Sequence, residues 1–143
     1  MIKGIRVRDI MKTPAITANI DEPFSKVEEK FRMKGIRHLP VVDAHDKVVG
    51  LITQRDLYKI VPPHRTLEGT YHYDAEMLNS FILKYVMTKD PVTLFPDDYL
   101  ASAVEIMARQ KFGCIPIVDS AGKIAGILTE TDILKFLART LLQ

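Results

Sequence analysis

The sequence predicts an α+β protein built from two β-α-β-β-α repeats, related by a pseudo-twofold axis and packed through their sheets. Three observations predict it: the chain repeats its own pattern 76 positions on, an apolar helical face opens each copy, and paired β-branched runs follow it. Displaced by 76 positions, Met11–Lys59 lies over Met87–Lys135 without a gap. Twelve of those 49 pairs are identical, where average composition gives about three. They are Met11/Met87, Thr17/Thr93, Asp21/Asp97, Glu29/Glu105, Pro40/Pro116, Val42/Val118, Asp43/Asp119, Lys47/Lys123, Gly50/Gly126, Thr53/Thr129, Asp56/Asp132 and Lys59/Lys135.

Each copy has a readable order of elements. An extended segment around Thr17 or Thr93 comes first. Phe24, Val27 and Phe31, like Leu100, Ala103, Val104 and Met107, recur at spacings of three and four, which places them on one face of a helix. The runs from Leu39 and from Ile115 read as buried strands, with Pro40 and Pro116 near the strand start, where a missing N–H does least harm. Polar turns follow at Ala44–Lys47 and Ser120–Lys123, and Gly122 suits a positive φ. Second strands over Val48–Ile52 and Ile124–Leu128 run into helices beginning near Thr53 and Thr129. A copy of about 55 residues buries too little apolar surface to stand comfortably alone, so the expectation is two copies stacked sheet to sheet, with clefts between them. The expected division is residues 1–62 for the first repeat, 63–82 for a connector and 83–143 for the second repeat. The connector is expected to hold a short helix with Met77, Leu78, Phe81 and Ile82 on one face.

Composition narrows the function. Of 143 residues, 47% are hydrophobic and 27% charged, the balance of a folded globular chain. A net charge of +2 is too small for a general nucleic-acid or membrane-surface binder. The longest uncharged run is the eight residues Thr13–Ile20, against ~20 for a bilayer span. Charges at Lys3, Arg6, Arg8 and Asp9 stand where a secretory signal needs an apolar stretch, and Cys114 is the only cysteine. The expectation is a reduced, cytoplasmic protein with no disulfide framework and no metal site, since the four histidines are scattered. Glycine-rich nucleotide loops, a phosphate-cradling Gly-Lys loop and a serine nucleophile elbow are all missing, so no enzymatic activity and no catalytic residue are expected.

The string Gly-Leu-Ile-Thr-Gln-Arg-Asp-Leu from Gly50, answered by Gly-Ile-Leu-Thr-Glu-Thr-Asp-Ile from Gly126, resembles the signature of the CBS domain family. The runs Ile36–Asp43 and Cys114–Asp119 resemble it too, as do Asp9–Pro14 and Tyr85–Thr93. The resemblance covers nearly the whole chain except the joint Val61–Ile82. It implies a tandem pair, or Bateman module, with two clefts for adenine-containing ligands, disc-shaped homodimers and no catalysis. Such pairs usually sense nucleotides or S-adenosyl compounds on behalf of a partner.

Read from the residues alone, Thr53-x-x-Asp56 and Thr129-x-x-Asp132 are capping boxes, the threonine hydroxyl accepting from an amide and the acid reaching back. The other reading of the same residues is a ligand mouth, where a short carboxylate at a strand end accepts two hydrogen bonds from a ribose diol. The resemblance implies the second role, because its ribose-binding acid falls on Asp56 and Asp132, with Thr53 and Thr129 beside them. Arg37 and His38 before the first strand, and Arg55 inside the first turn, are solvated surface charges or a phosphate site; guanidinium forks suit phosphate oxygens. Copy two has Gly113, Cys114 and Thr131 at these places, and Glu130 beside the turn. It is therefore expected to take a less charged ligand or none. Ala15, Ile16 and Thr17, with Pro91, Val92 and Thr93, are candidate adenine walls or ordinary edge strands; the resemblance favours the adenine. Tyr71, His72 and Tyr73 read as a loop packing its own aromatics, or as a surface for a base or a dimer mate.

The functional expectation is a regulatory module that binds adenosine-type nucleotides, AMP or ATP in class, and signals through a change in repeat or dimer geometry. No cofactor is required. An unidentified enzyme or regulator would receive the signal, with no direct nucleic-acid or membrane partner. The alternatives are a constitutive dimerisation scaffold with vestigial clefts, or a sensor of S-adenosylmethionine or NAD.

Overall fold

The structure is a computed structural model, and it describes residues 2–60, 64–65, 67–69, 71–72 and 74–143. Strand β1 (Ala18–Asn19) precedes helix α1 (Phe24–Lys34), strands β2 (His38–Val42) and β3 (Val48–Thr53), and helix α2 (Gln54–Ile60). A two-residue ladder of β4 (His64–Arg65) and β5 (Tyr71–His72) leads to helices α3 (Ala75–Asn79) and α4 (Leu83–Val86). The second copy contains β6 (Thr88–Lys89), α5 (Leu100–Gln110), β7 (Cys114–Val118), β8 (Ile124–Thr129) and α6 (Glu130–Leu141). The mixed α+β order matches the expectation from sequence, with helices starting at Gln54 and Glu130. Among the described residues no helix is long and apolar enough to cross a membrane.

The chain forms two compact units that exchange short segments of sequence. One holds Thr17–Ala44 and Val49–Asp90; the other holds the residues up to Ile16, His45–Val48 and Pro91–Gln143. In the first-repeat unit the sheet order is β1-β2-β3-β6, with Ala18 parallel to Val41 and Leu51 antiparallel to Thr88. In the second-repeat unit β7 and β8 pair, Leu94 bridges Ile117 in parallel and Lys12 bridges Ile127 antiparallel. Every one of these pairings is its counterpart displaced by 76 residues. The segment that leads into one repeat therefore adds an edge to the hairpin of the other.

Glycine makes that edge possible. A Cβ on Gly126 would stand 2.7 Å from the Lys12 carbonyl oxygen and 2.9 Å from Met11 Sδ. A Cβ on Gly50 would have the side chain of Met87 as its nearest neighbour, with no backbone atom among the three closest. The identities Gly50/Gly126 and Met11/Met87 thus mark one contact made twice, a thioether laid over a bare strand position. The hairpin turns carry a second backbone requirement: φ is +81° at Gly122 and +62° at the aligned Asp46, one of the few side chains that accept the left-handed region. Around them Val48 N–H donates to Gly122 O at 3.1 Å and Ile124 N–H to Asp46 O at 2.9 Å, a pair of bonds that the offset of 76 interchanges.

Each unit has its own core. Phe24, Val27, Phe31, Leu39, Val41, Ile52, Leu57 and Leu83 are buried in one, and the aligned Leu100, Ala103, Met107, Ile115, Ile117, Leu128, Ile133 and Val7 in the other. At about 1.5–3 kcal/mol for each large side chain removed from water, these stripes supply most of the drive for folding. Glu28 is the one acid buried within α1, and Arg32 Nε donates to its carboxylate at 2.8 Å one turn on. Two faces depart from the sequence pattern. Val104 lies exposed, since the stripe on α5 narrows to Leu100, Ala103 and Met107. In the connector Asp74 caps α3, accepting from the N–H groups of Glu76 and Met77, and the helix stops at Asn79. The face therefore splits: Leu78 is 1% exposed and Phe81 meets Phe24 edge-on at 6.5 Å, while Met77 and Ile82 face solvent.

The glycine contacts generate a test. Gly126→Ala drives a methyl group against backbone and should cost about 1–3 kcal/mol in chemical denaturation. Gly50→Ala displaces only a flexible methionine and should cost clearly less. Equal losses would remove the close backbone approach as the reason for glycine at position 126.

Candidate functional site

Both Thr-x-x-Asp sequences fold as reciprocal corners at the end of a strand. In the first-repeat unit Thr53 N–H donates to Asp56 Oδ2 at 2.9 Å, and Asp56 N–H donates to Thr53 Oγ1 at 3.2 Å. In the second-repeat unit Thr129 N–H donates to Asp132 Oδ2 at 3.1 Å, the Thr129 hydroxyl donates to the same oxygen at 2.9 Å, and Asp132 N–H returns to Thr129 Oγ1 at 3.2 Å. These are capping boxes closed by a short acid. The cap and a ligand role use the carboxylate differently. The amide bond fixes Oδ2 and the rotamer, and a carboxylate has lone pairs enough for further donors.

The chain that enters the hairpin is tied to the same corner. Gln54 N–H donates to the Arg37 carbonyl at 2.9 Å, and Glu130 N–H to the Gly113 carbonyl at 3.0 Å, one bond in two copies. Arg37 and Arg55 are exposed, and His38 is the half-buried first residue of β2. The Arg37 backbone therefore lies one residue along the chain from Arg55 through its bond to Gln54. In the second copy the same position offers Gly113, and Glu130 is exposed beside it.

The candidate base-binding segments lie in extended chain. Ala15 and Thr17 are half-buried and Ile16 is exposed; Pro91, Val92 and Thr93 are half-buried just ahead of Leu94, whose N–H reaches Pro116 O at 3.3 Å. Tyr71 and His72 form β5, and Tyr73 lies outside the described residues. Among the described residues no three histidine, cysteine, aspartate or glutamate side chains gather as a metal site.

Two lysines reach these segments, and the sequence pattern alone passed over both. Lys12 Nζ lies 3.4 Å from Asp132 Oδ1; the aspartate side chain is 5% exposed and the lysine side chain 60%. Lys30 Nζ donates to the Thr17 carbonyl at 2.7 Å and to Glu22 Oε1 at 2.6 Å. The available signal was the places where the copies differ: Lys12 aligns with Thr88, and Lys30 with Ile106.

Cys114, aligned with His38, is buried at the start of β7, and its thiol is pushed up to about 12 by desolvation and, secondarily, by the Asp132 carboxylate. Such a thiol is a packing group rather than a nucleophile.

The CBS domain model matches residues 7–63 and 83–139, and the chain belongs to that family, as a tandem pair. An uncharacterized protein of Methanocaldococcus jannaschii is 29% identical over 132 residues, covering 92% of this chain and 47% of its own length. The inosine-5'-monophosphate dehydrogenase of Korarchaeum cryptofilum is 32% identical over 134 residues, covering 93% of this chain and 25% of the enzyme. The chain thus spans half or less of these relatives. The solved CBS domain pair of protein MJ0100, in complex with 5'-methylthioadenosine and S-adenosyl-L-methionine, superposes with a TM-score of 0.77 at 27% identity, over 94% of this chain and 97% of that one.

The thiol gives a pH prediction. Its folded pKa lies above the unfolded value, so the native state holds a proton that the unfolded chain releases. Its contribution is complete below the unfolded pKa of about 8.5 and is lost as pH rises through the folded value. Denaturation midpoints should therefore fall between about pH 8.5 and pH 12, and the fall should be shallower in Cys114→Ala. Identical pH profiles for the two proteins would exclude the thiol as its source.

Proposed function

We propose that this chain is a regulatory module that binds adenosine-type ligands, the AMP and ATP class included, at its two Thr-x-x-Asp corners, and that it catalyses no reaction. The observation that carries this reading is the recurrence of one carboxylate, preset by the same threonine amide, in both repeats of a pair similar to one that holds adenosyl ligands. Asp56 and Asp132 accept from the ribose diol, and Thr53 and Thr129 hold each acid in place. Arg37, His38 and Arg55 take the phosphates of the first ligand. Ala15–Thr17 and Pro91–Thr93 face the adenine with backbone polar groups and aliphatic cover. The ligand passes on a signal by binding one arrangement of the molecule, or of a homodimer, more tightly than another. An enzyme or regulator in the cytoplasm receives it. Neither a cofactor nor a nucleic acid takes part.

Thermal unfolding with AMP, ATP, NAD, S-adenosylmethionine and 5'-methylthioadenosine tests the reading. At a hundredfold over its dissociation constant a ligand adds ~2.7 kcal/mol to stability. No shift with any of the five in a folded sample would leave a scaffold whose sites bind nothing.

Two substitutions locate the site. Asp56→Ala should weaken adenosine binding about tenfold or more, because hydrogen bonds to a charged group are lost, while removing a cap worth ~1 kcal/mol. Unchanged affinity with lowered stability would return Asp56 to capping alone. Arg37→Ala should weaken AMP more than adenosine in calorimetric titration, and equal losses would count against a phosphate contact.

A further inference from the structure

A lysine that precedes the first repeat lies over the acid of the second. Lys12 is held against β8 by two backbone bonds, its N–H to Ile127 O at 2.9 Å and Ile127 N–H to Lys12 O at 3.0 Å. From there its ammonium reaches Asp132 Oδ1 at 3.4 Å. Asp132 is almost wholly removed from solvent, Oδ2 already serves the Thr129 amide and hydroxyl, and Lys12 supplies the charge facing the other oxygen. The offset that aligns Asp132 with Asp56 aligns Lys12 with Thr88, which carries no charge, although Thr88 pairs with Leu51 just as Lys12 pairs with Ile127.

We propose that Lys12 is the specificity-determining residue of the second repeat's site, selecting anionic over neutral or cationic nucleosides. The inference rests on the adenosyl-binding reading above and adds the ligand's charge class to it. A ribose diol that meets Asp132 meets a carboxylate whose charge is already balanced, so a neutral nucleoside gains less there than at a bare acid. The ammonium sits on a flexible, mostly exposed four-carbon stem, and it can turn from Asp132 toward a phosphate that arrives with the ribose. A sulfonium arriving at the same place meets like charge. The second site thereby regains the cation that it lacks at Gly113 and Thr131, from a segment more than a hundred positions away in sequence.

The test compares wild type, Lys12→Gln and Lys12→Arg in the full chain, titrated with AMP, adenosine and S-adenosylmethionine. Amide resonances of Glu130–Asp132 report the second site, and those of Gln54–Asp56 report the first. Lys12→Gln should weaken AMP at the second-site amides by about threefold to tenfold, leave adenosine equal or tighter, and tighten S-adenosylmethionine by a similar factor. Lys12→Arg should keep the wild-type order, and the first-site midpoints should not move. An unchanged AMP-to-adenosine ratio at the second site, or equal changes at both sites, would overturn the proposal while leaving adenosyl binding intact. Amides that shift with no probe in wild type would instead sink the underlying reading, and this inference with it. Circular dichroism and a melting curve on each variant check that both are folded, because Lys12→Gln removes the charge that faces the buried Asp132 while Lys12→Arg keeps it.

Discussion

The close passage of a lead segment over a bare glycine on the second hairpin strand is the contact on which the rest depends. At Gly126 the Lys12 carbonyl and the Met11 thioether occupy the volume a side chain would need, and at Gly50 Met87 does the same. That approach lets a segment from ahead of one repeat complete the sheet of the other. A copy of about 55 residues has too little apolar surface to fold comfortably by itself, and borrowing an edge increases what each hairpin covers. The same passage sets the register of Lys12 along β8, and the register brings its ammonium to Asp132. Backbone packing here decides electrostatics at the site.

On the proposed reading, the Thr-x-x-Asp corner gives one carboxylate a structural and a chemical duty together. An aspartate that reaches back to the amide three residues earlier has its rotamer and Oδ2 fixed before any ligand arrives. Less conformational freedom is then lost on binding, which is what preorganisation contributes to affinity. A glutamate could close a capping box equally well, but its longer arm would place the second oxygen elsewhere. On the proposed reading, aspartate in both copies keeps the remaining oxygen where the ribose meets it. The bond from Gln54 or Glu130 back to the hairpin entry then sets residue 37 or 113 beside that corner, whatever side chain the position bears.

Most of the fold was legible in the sequence because the repeat doubles every signal. An isolated Thr-x-x-Asp is a common cap, whereas two at the same offset as a glycine, a proline and a strand pattern fix the element order. All eight buried residues of the second core lie on positions aligned with buried residues of the first. What failed was local. Spacing puts Met77 and Ile82 on one helical face with Leu78 and Phe81, but a five-residue helix capped by Asp74 has no second turn to carry that face as a unit. The two lysines that reach the candidate site segments were hidden for a different reason. Lys12 and Lys30 stand far from their targets in the pattern, and no local motif joins Lys12 to Asp132 across 120 positions. Aligning the copies exposes them only as differences, and a difference has no meaning until the backbone shows where the side chain goes.

The two copies have diverged under distinct physical constraints. In the cores, size has moved between elements: Phe24 and Phe31 become Leu100 and Met107, while Ile36 and Ile60 become Phe112 and Phe136 against the same cluster. Close packing tolerates such exchanges when total volume is kept, so they need no functional cause. The charged positions behave otherwise. Arg37 and Arg55 give way to Gly113 and Thr131, Thr88 stands where copy one's segment has Lys12, and Ile106 replaces Lys30. None of these exchanges conserves charge at its own position, yet each unit ends with a cation at its corner, Arg37 and Arg55 flanking one and Lys12 facing the other acid. Packing does not require that outcome, because the charged ends lie largely in solvent. Repulsion among ligand oxygens and a bare carboxylate would require it, and a site that accepts phosphate beside an aspartate must supply positive charge from whichever segment the backbone brings within reach.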